Sequence, residues 1–339
     1  MIQLVLLIFS VIIFIFLINK NYYRINLLYN WGMISPCTPD RFKTKIRLSK
    51  TDLDEYNKRI AMGVREIRKN NVVICALVRD VSNNINHIKT KVNDLIHMFN
   101  DYRVLIVEND SQDDTREQLL EWSKQDPKII ILGCGYNVDK CTIAQAISKT
   151  KEHSPDKERI NKMATLRNIY LDEIKKYYAP IQGSSEYWKY CIFWDLDIYG
   201  SVYLDGISNS FGYFGSKSFN GGTPLGAMCA NGLILKLGNV FYYDAYAHLD
   251  IGEKYDSSNN FIHGLKKGIG FNYSFGEQPI KVDSCFGGFT IYKTTELLNA
   301  KYDLNETDNI ECEHVKLHRY MPGKIYMNPS MIHLVLKNE

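Results

Sequence analysis

The sequence lacks the features that mark several classes of protein. Its eight cysteines form no C-x-x-C pair and no zinc-finger spacing, so we expect neither a zinc site nor a disulfide framework. Lys and Arg number 41 and Asp and Glu 38, which leaves a charge of only +3 and excludes a polybasic nucleic-acid binder. The 339 residues contain no internal repeat, and this length allows one large domain or two ordinary ones.

Long hydrophobic runs are also scarce. Ile2 to Ile18 is strongly apolar and contains no charged residue, whereas polar and apolar residues alternate in the usual way after Lys20. This run has no basic segment before it and no small-residue cleavage site after it. We therefore predict that residues 1–20 form one uncleaved transmembrane anchor. The polar and mixed composition of residues 21–70 predicts a stem between the anchor and the folded part.

From residue 71 onward the sequence predicts an α/β fold. Short apolar runs rich in β-branched residues alternate with helical patterns, which is typical of a doubly wound, mostly parallel sheet. These runs are residues 72–78, 104–107, 129–132 and 190–194. Cys75 and Cys191 lie inside them and are expected to be free thiols in the core. Ligands of such sheets bind outside the carboxyl ends of the strands.

Polar clusters follow two of these strands. Asp195 and Asp197 come directly after the last one, where a pair of carboxylates can meet a divalent cation such as Mg²⁺ or Mn²⁺. Taken alone this pair is weak evidence, because aspartates at strand ends also form turns. The segment from Glu108 to Thr115 follows an earlier strand and opens a helix. A helix cap explains Asp114, but it does not explain an acid at Glu108.

The order of the motifs resembles the GT-A fold of nucleotide-sugar-dependent glycosyltransferases, and within it the fungal Golgi and capsule α-mannosyltransferase groups. The likeness extends from about Val72 to His333. It is carried by the segment Val107–Thr115, Arg159, the pair Arg167–Asn168, Trp194–Asp197, the glycine-rich segment Asp283–Tyr292, Glu311-Cys-Glu313, and Gly323, Pro329 and His333.

The resemblance implies a role for each matching position. Residues 71–200 would form the nucleotide-sugar-binding half and residues 201–339 the acceptor-binding and catalytic half. Donor contacts would come from Arg79, Glu108, Asp110, Arg159, Arg167 and Asp195. Mn²⁺ or Mg²⁺ would be bound by Asp195, Asp197 and His333, with His314 and His318 as rival ligands. Gly287 and Gly288 would contact the acceptor, and Glu311 or Glu313 would border it.

The implied activity is the metal-dependent transfer of mannose or a similar hexose from a GDP- or UDP-sugar to a glycan or glycoprotein acceptor, without nucleic acid. An inverting reaction would need Glu311 or Glu313 as base, whereas a retaining one would need none. Two alternatives are an inactive scaffold or glycan-binding subunit and a sugar nucleotidyltransferase. The latter is disfavoured because the loop Arg79–Asn84 has no glycine to cradle a triphosphate.

Membrane orientation stays open from the sequence. The resemblance implies a lumenal catalytic domain. Lys20 and Arg24 follow the apolar run, and the positive-inside rule would then keep that domain cytosolic. The expected free cysteines and the sequon Asn109-Asp-Ser111 inside the proposed donor loop favour the cytosol as well.

Overall fold

The computed structural model describes residues 50–109, 111–133, 157–180, 188–200, 202–216, 224–236, 239–254, 276–307 and 310–335. The predicted anchor and the first part of the predicted stem lie outside these residues. None of the helices within the described ranges is both long and apolar enough to cross a membrane.

Helices and strands alternate along the first part of the chain. The described helices are α1 Lys50–Arg68, α2 Ile85–Ile96, α3 Thr115–Gln125, α4 Lys157–Tyr177, α5 Leu204–Phe214 and α6 Glu313–His318. The strands are β1 Asn71–Val78, β2 Asp101–Glu108, β3 Ile129–Gly133, β4 Tyr190–Trp194, β5 Leu225–Lys236, β6 Asn239–Tyr242, β7 Ile280–Val282, β8 Phe289–Lys293 and β9 Lys324–Val335.

The described strands form one sheet in the order β3-β2-β1-β4-β8-β5-β9-β7, with β6 beside β5. In the first half β1, β2, β3 and β4 pair in parallel, as predicted. In the second half β8 pairs antiparallel with β4 and β5, and β7 with β9, while β5 and β9 are parallel. The expectation of a mostly parallel sheet is therefore wrong, and the sheet is mixed. The antiparallel pairs β4–β8, β5–β8 and β7–β9 join strands that lie far apart in the sequence, so no local pattern indicates their direction.

Both faces of the sheet are covered, because side chains alternate along buried strands. Along β1, Val72 and Ile74 join an apolar cluster with α2, α3 and α5, whereas Val73 and Cys75 pack on the other face with α4. The doubly wound arrangement follows from this division. It brings the carboxyl ends of β1, β2 and β4 to one edge.

Helix α1 packs against α5 although the sequence places it in the stem. Tyr56 and Ile67 are buried. Gly63 is the point of closest approach, because a Cβ there would lie 1.6 Å from the backbone oxygen of Ser208. The predicted stem thus overlaps the folded domain from Lys50 onward.

The structure corrects the expectation about disulfides. Cys229 on β5 is bonded to Cys285, in the segment that leads to Gly287 and Gly288. Their spacing of 56 residues follows no short motif, so the sequence alone gave no signal for the pair. Cys75 and Cys191 are free and buried, as predicted.

Candidate active site

The acidic pair lies at the carboxyl end of β4. Trp194 pairs with Phe289 of the antiparallel β8, and the backbone N–H of Asp195 donates to the carbonyl of Gly288 at 2.9 Å. The Asp195 side chain is 19% exposed, whereas Asp197 is exposed to solvent. The pair therefore begins where the sheet ends, with one carboxylate held against the protein and one facing outward.

Arg167 of α4 is buried beside Asp195. Its guanidinium donates to Glu313 at 3.1 Å, to the hydroxyl of Tyr170 at 3.1 Å and to Asp195 at 3.4 Å. Its carbon also lies 5.2 Å from the ring centroid of Phe286. Three of its five N–H donors are thus used to fix neighbouring groups. Arg167 consequently links two predicted site acids, Asp195 and Glu313, through one cation.

Lys91 was not among the site residues predicted from the sequence. This α2 side chain is buried, and its ammonium donates to the carbonyls of Ile198 at 2.5 Å and Gly200 at 3.3 Å, below the loop that carries the acidic pair. Burial lowers its pKa to about 7, against the attraction of Asp197 and Asp195. The signal was present in the sequence, because Lys91 falls within the apolar stripe of its helix.

Tyr243 and Asp244, directly after β6, were also missed as site residues. The Tyr243 hydroxyl donates to Asp195 at 3.4 Å. Asp244 adopts a left-handed conformation, with φ 61°. Burial, reinforced by Asp195 and Glu313, raises its pKa well above the usual range. In the same way burial raises the pKa of Asp195 to about 7, although Arg167 lowers it.

His333 of β9 approaches the same edge. Its Nδ1 lies 2.9 Å from the carbonyl of Gly287, to which it donates, whereas its buried Nε2 has no partner among the described residues. Burial lowers its pKa to about 3, so the ring is neutral. The Nδ1 hydrogen bond fixes the tautomer and leaves a lone pair on Nε2, as in histidines that bind metals.

Gly287 and Gly288 are required by their backbone conformation, with φ 62° and 76°. A Cβ on Gly288 would also lie 2.5 Å from Nδ1 of His333. Their carbonyls hold His333 and Asp195, as described above. The predicted acceptor contact of these glycines stays a prediction, and their observed contacts join β4, β8 and β9.

The two rival histidines have other surroundings. His318 uses both ring nitrogens, at 2.9 Å from Ser284 Oγ and 2.9 Å from the Tyr292 hydroxyl. His314 is stacked on Phe286, and its Nε2 lies 3.8 Å from Glu313. His333 is thus the predicted histidine that is bonded to the Gly287–Gly288 turn, to which the backbone of Asp195 is also bonded.

The loops after β1 and β2 join at the same edge. Glu108 is fully buried, accepts from Arg116 at 2.6 Å and from the backbone N–H of Ser111 at 3.0 Å, and thereby shapes the loop. Arg79 is exposed and paired with Asp80 at 3.0 Å. The predicted nucleoside contact of Glu108 would compete with Arg116.

The remaining predicted residues separate into three groups. Glu311 accepts hydrogen bonds from both Nη atoms of Arg319, and it lines a cavity to which Asp195 does not contribute. Arg159 is partly exposed on α4, two helical turns before Arg167. Asp110 lies outside the described residues.

The surroundings of the acidic pair suit a divalent cation. Four carboxylates, of Asp195, Asp197, Asp244 and Glu313, interact with Arg167. Hard oxygen donors of this kind, with a nitrogen from His333, fit Mn²⁺ or Mg²⁺. Within the described ranges no three acidic, histidine or cysteine side chains form a ready-made metal cluster.

A family model described as Cryptococcal mannosyltransferase 1 matches residues 71–317. The chain belongs to this family. The match begins at β1 and extends into α6, so it contains the acidic pair, Arg167 and Glu313 but ends before His333. Membership of this mannosyltransferase family confirms the glycosyltransferase resemblance drawn from the motifs, and with it the expectation of an enzyme. No curated protein sequence matches the chain.

Three solved structures are similar to this family member at low identity. The mannosyltransferase PcManGT from Pyrobaculum calidifontis, in complex with GDP-Man and Mn²⁺, is 9% identical over 84% of this chain and 65% of its own, with TM-score 0.39. TarS 1-349 of S. aureus, with UDP-GlcNAc, is 12% identical over 79% and 59%, with TM-score 0.42. GalNAc-T7, with UDP, GalNAc and Mn²⁺, is 8% identical over 79% and 44%, with TM-score 0.42. The chain thus spans less than two thirds of each.

Proposed function

We propose that this family member transfers mannose or a similar hexose from a nucleoside diphosphate sugar to a glycan or glycoprotein acceptor, and that the reaction requires Mn²⁺ or Mg²⁺. The observation that carries the proposal is the acidic pair at the end of β4, held by the buried Arg167 in a chain of mannosyltransferase family membership. The nucleotide sugar would lie at the edge where the carboxyl ends of β1, β2 and β4 meet.

A divalent cation bound by Asp195 and Asp197, with Nε2 of His333, would offset the charge that grows on the diphosphate as the glycosidic bond breaks. The excess of carboxylates around Arg167 supports this assignment, because a diphosphate could not approach them without a cation. His333 fits as a ligand because its tautomer is already fixed by the carbonyl of Gly287.

The cations of the chain would have separate tasks. Arg167 orients Asp195, since its donors are already engaged by Glu313, Tyr170 and Asp195. Arg159 follows the same helix face outward, where it could meet the diphosphate. Lys91 supports the Asp195–Gly200 loop from within the core. The donor base would lie near Arg79, above the turn that Glu108 and Arg116 stabilise.

Glu313 is best suited to hold Arg167. One of its oxygens already accepts from Arg167, and the side chain is only 7% exposed. A general base needs an oxygen that can reach the acceptor hydroxyl. The arrangement therefore favours the retaining alternative, in which no base is required. Gly287 and Gly288 would let the acceptor approach the backbone closely.

We also propose a membrane anchor in residues 1–20 and a lumenal catalytic domain. The Cys229–Cys285 disulfide supports the lumen, because oxidising compartments allow such bonds to persist. The sequons at Asn109 and Asn305 weigh little against it, since both side chains are 3% exposed in the folded chain. A glycan at either would oppose folding, so their lack of modification would not indicate the cytosol.

The test is donor hydrolysis and transfer by the full chain, screened over GDP- and UDP-sugars with and without Mn²⁺. We expect turnover of at least one donor that requires the metal and is lost in Asp195→Asn. Asp172→Asn is the matched control, because this α4 aspartate is 76% exposed and pairs with Lys175 instead of a site residue. Folded protein that turns over no donor with any acceptor would favour the inactive scaffold instead.

A further inference from the structure

A second cavity, of about 640 Å³, opens beside residues 303–307 and helix α6. Its lining includes Glu311 but none of Asp195, Asp197 and Glu313. We call it the outer cavity. Nothing in the donor site described above uses it.

The wall of the outer cavity is tied firmly to α4. Asn161 and the backbone of Asn305 exchange two hydrogen bonds, at 3.1 and 2.6 Å. About two turns further along α4, Asn168 and the backbone of Tyr302 exchange two more hydrogen bonds, both at 2.9 Å. The buried Asn305 side chain also binds the backbone of Glu311 on both sides, at 3.1 and 2.9 Å. The cavity is thus a built feature of the fold.

The same wall separates the outer cavity from the donor site. Tyr302 turns inward to Tyr170, whereas the next residue, Asp303, lines the cavity. Likewise Glu313 turns inward to Arg167, whereas Glu311 lines the cavity. Asn161, which holds the wall, precedes Arg167 by six residues, or about 9 Å along the helix.

The lining suits an uncharged ligand with many hydroxyl groups. Three carboxylates, of Asp303, Glu306 and Glu311, oppose the cations of Lys316 and Arg319. This balance gives no positive field for a phosphate. The Arg319 side chain is 57% exposed and retains N–H donors beyond those that Glu311 accepts, while carboxylates retain lone pairs. Hydroxyls both donate and accept, so they can pair with both kinds of group.

Two apolar surfaces complete the lining. Leu304 is 49% exposed although it is a large aliphatic side chain. The Tyr320 ring is fixed by its hydroxyl, which donates to Asp303 at 2.5 Å. Aromatic and aliphatic faces of this kind pack against the C–H face of a sugar ring. The combination excludes a purely ionic ligand as well as a purely apolar one.

We propose that the outer cavity is a sugar-binding subsite that holds a residue of the acceptor glycan away from the reacting end. This assignment rests on the proposed function, since it supplies the acceptor of that reaction. Glu311 then binds a distal sugar, while Glu313 belongs to the donor site. The enzyme would prefer an oligosaccharide to a single sugar as acceptor.

The test measures glycan binding by the full chain without nucleotide or metal, on an array of uncharged mannose- and galactose-containing oligosaccharides. We expect retention of at least one oligosaccharide and about tenfold weaker binding in Tyr320→Ala. Tyr177→Ala is the matched control, because Tyr177 is 55% exposed on α4 and distant from the cavity. Arg319→Met serves as a second variant, and thermal unfolding confirms that each protein is folded.

Three outcomes overturn the subsite: no oligosaccharide is retained, Tyr320→Ala and Arg319→Met bind as wild type, or Tyr177→Ala weakens binding equally. The proposed function is judged separately by metal-dependent donor turnover. If wild type turns over a donor but Tyr320→Ala and Arg319→Met bind the glycan as wild type does, the subsite alone is refuted. Glycan binding that these variants weaken, without turnover of any donor, refutes the enzyme activity alone.

Discussion

Replacing Arg167 by Met should destabilise the protein strongly, because Arg167 joins two carboxylates that the fold keeps from water. The substitution keeps an aliphatic chain but removes ion pairs to Glu313 at 3.1 Å and Asp195 at 3.4 Å. The stranded carboxylates are only 7% and 19% exposed. Breaking a buried ion pair on one side typically costs about 3–5 kcal/mol, and we expect a loss in this range.

The loss should grow with pH. Burial already raises the pKa of Asp195 to about 7, so the folded state binds more protons than the unfolded state between about pH 4 and 7. The contribution of Asp195 to stability therefore falls as pH rises through this window. Arg167 lowers the pKa of Asp195, so its removal extends the window upward. The deficit of the variant should be larger at pH 8 than at pH 6.

The assay is urea unfolding of the full chain in mild detergent, followed by tryptophan fluorescence. Arg79→Met is the matched control, because its pair with Asp80 is 3.0 Å long but exposed, and we expect a loss below about 1 kcal/mol. A loss in Arg167→Met no greater than in Arg79→Met, or one independent of pH, would refute the reasoning.

Three further predictions concern stability. Gly63→Ala should lower the free energy of unfolding in urea by about 1–3 kcal/mol, because its Cβ would lie 1.6 Å from a backbone oxygen of α5. Gly215→Ala is the control and should change this free energy little, because its Cβ would lie 3.6 Å from its nearest neighbour. Equal effects of the two substitutions would contradict the packing of α1. Burial lowers the pKa of His318 to about 3, so this group alone should contribute a loss of about 1.4 kcal/mol per pH unit as pH drops below 6.5. His318→Gln should remove this contribution, so the difference between wild type and variant in urea titrations should change with pH below 6.5; a difference independent of pH would exclude His318 as a source. The double variant Cys229→Ser/Cys285→Ser should lower the free energy of unfolding by about 2–4 kcal/mol. Reductant should lower the stability of wild type by a similar amount and leave the double variant unchanged. No effect of reductant on wild type would mean that the bond does not form.

The first half of the fold could be predicted because local pattern determines it. The apolar runs that became β1 and β4 are covered on both faces, and the helical pattern between them leaves parallel pairing as the solution. The second half could not be predicted in the same way. The strand β8 is as short as β4, yet its antiparallel pairing depends on contacts far away in the sequence.

The candidate site divides similarly. The acidic pair and Arg167 were found because each lies at a strand end or in a recognisable motif. Asp244 was missed because its role arises only when separate elements meet, whereas Lys91 could have been found from its place in the apolar stripe of α2. Glu311 and Glu313 are two residues apart in sequence, yet the chain turns between them, so one faces each cavity. Sequence spacing could not distinguish them.

Binding of Mn²⁺ together with a nucleoside diphosphate tests the central claim most directly. The measurement is an electron paramagnetic resonance titration of Mn²⁺ into the full chain with GDP or UDP, comparing wild type with Asp197→Asn. Asp197 is exposed, so its substitution should leave thermal unfolding unchanged. The account predicts that wild type binds the metal with at least one nucleotide and that Asp197→Asn does not. Equal binding by the folded variant would contradict it.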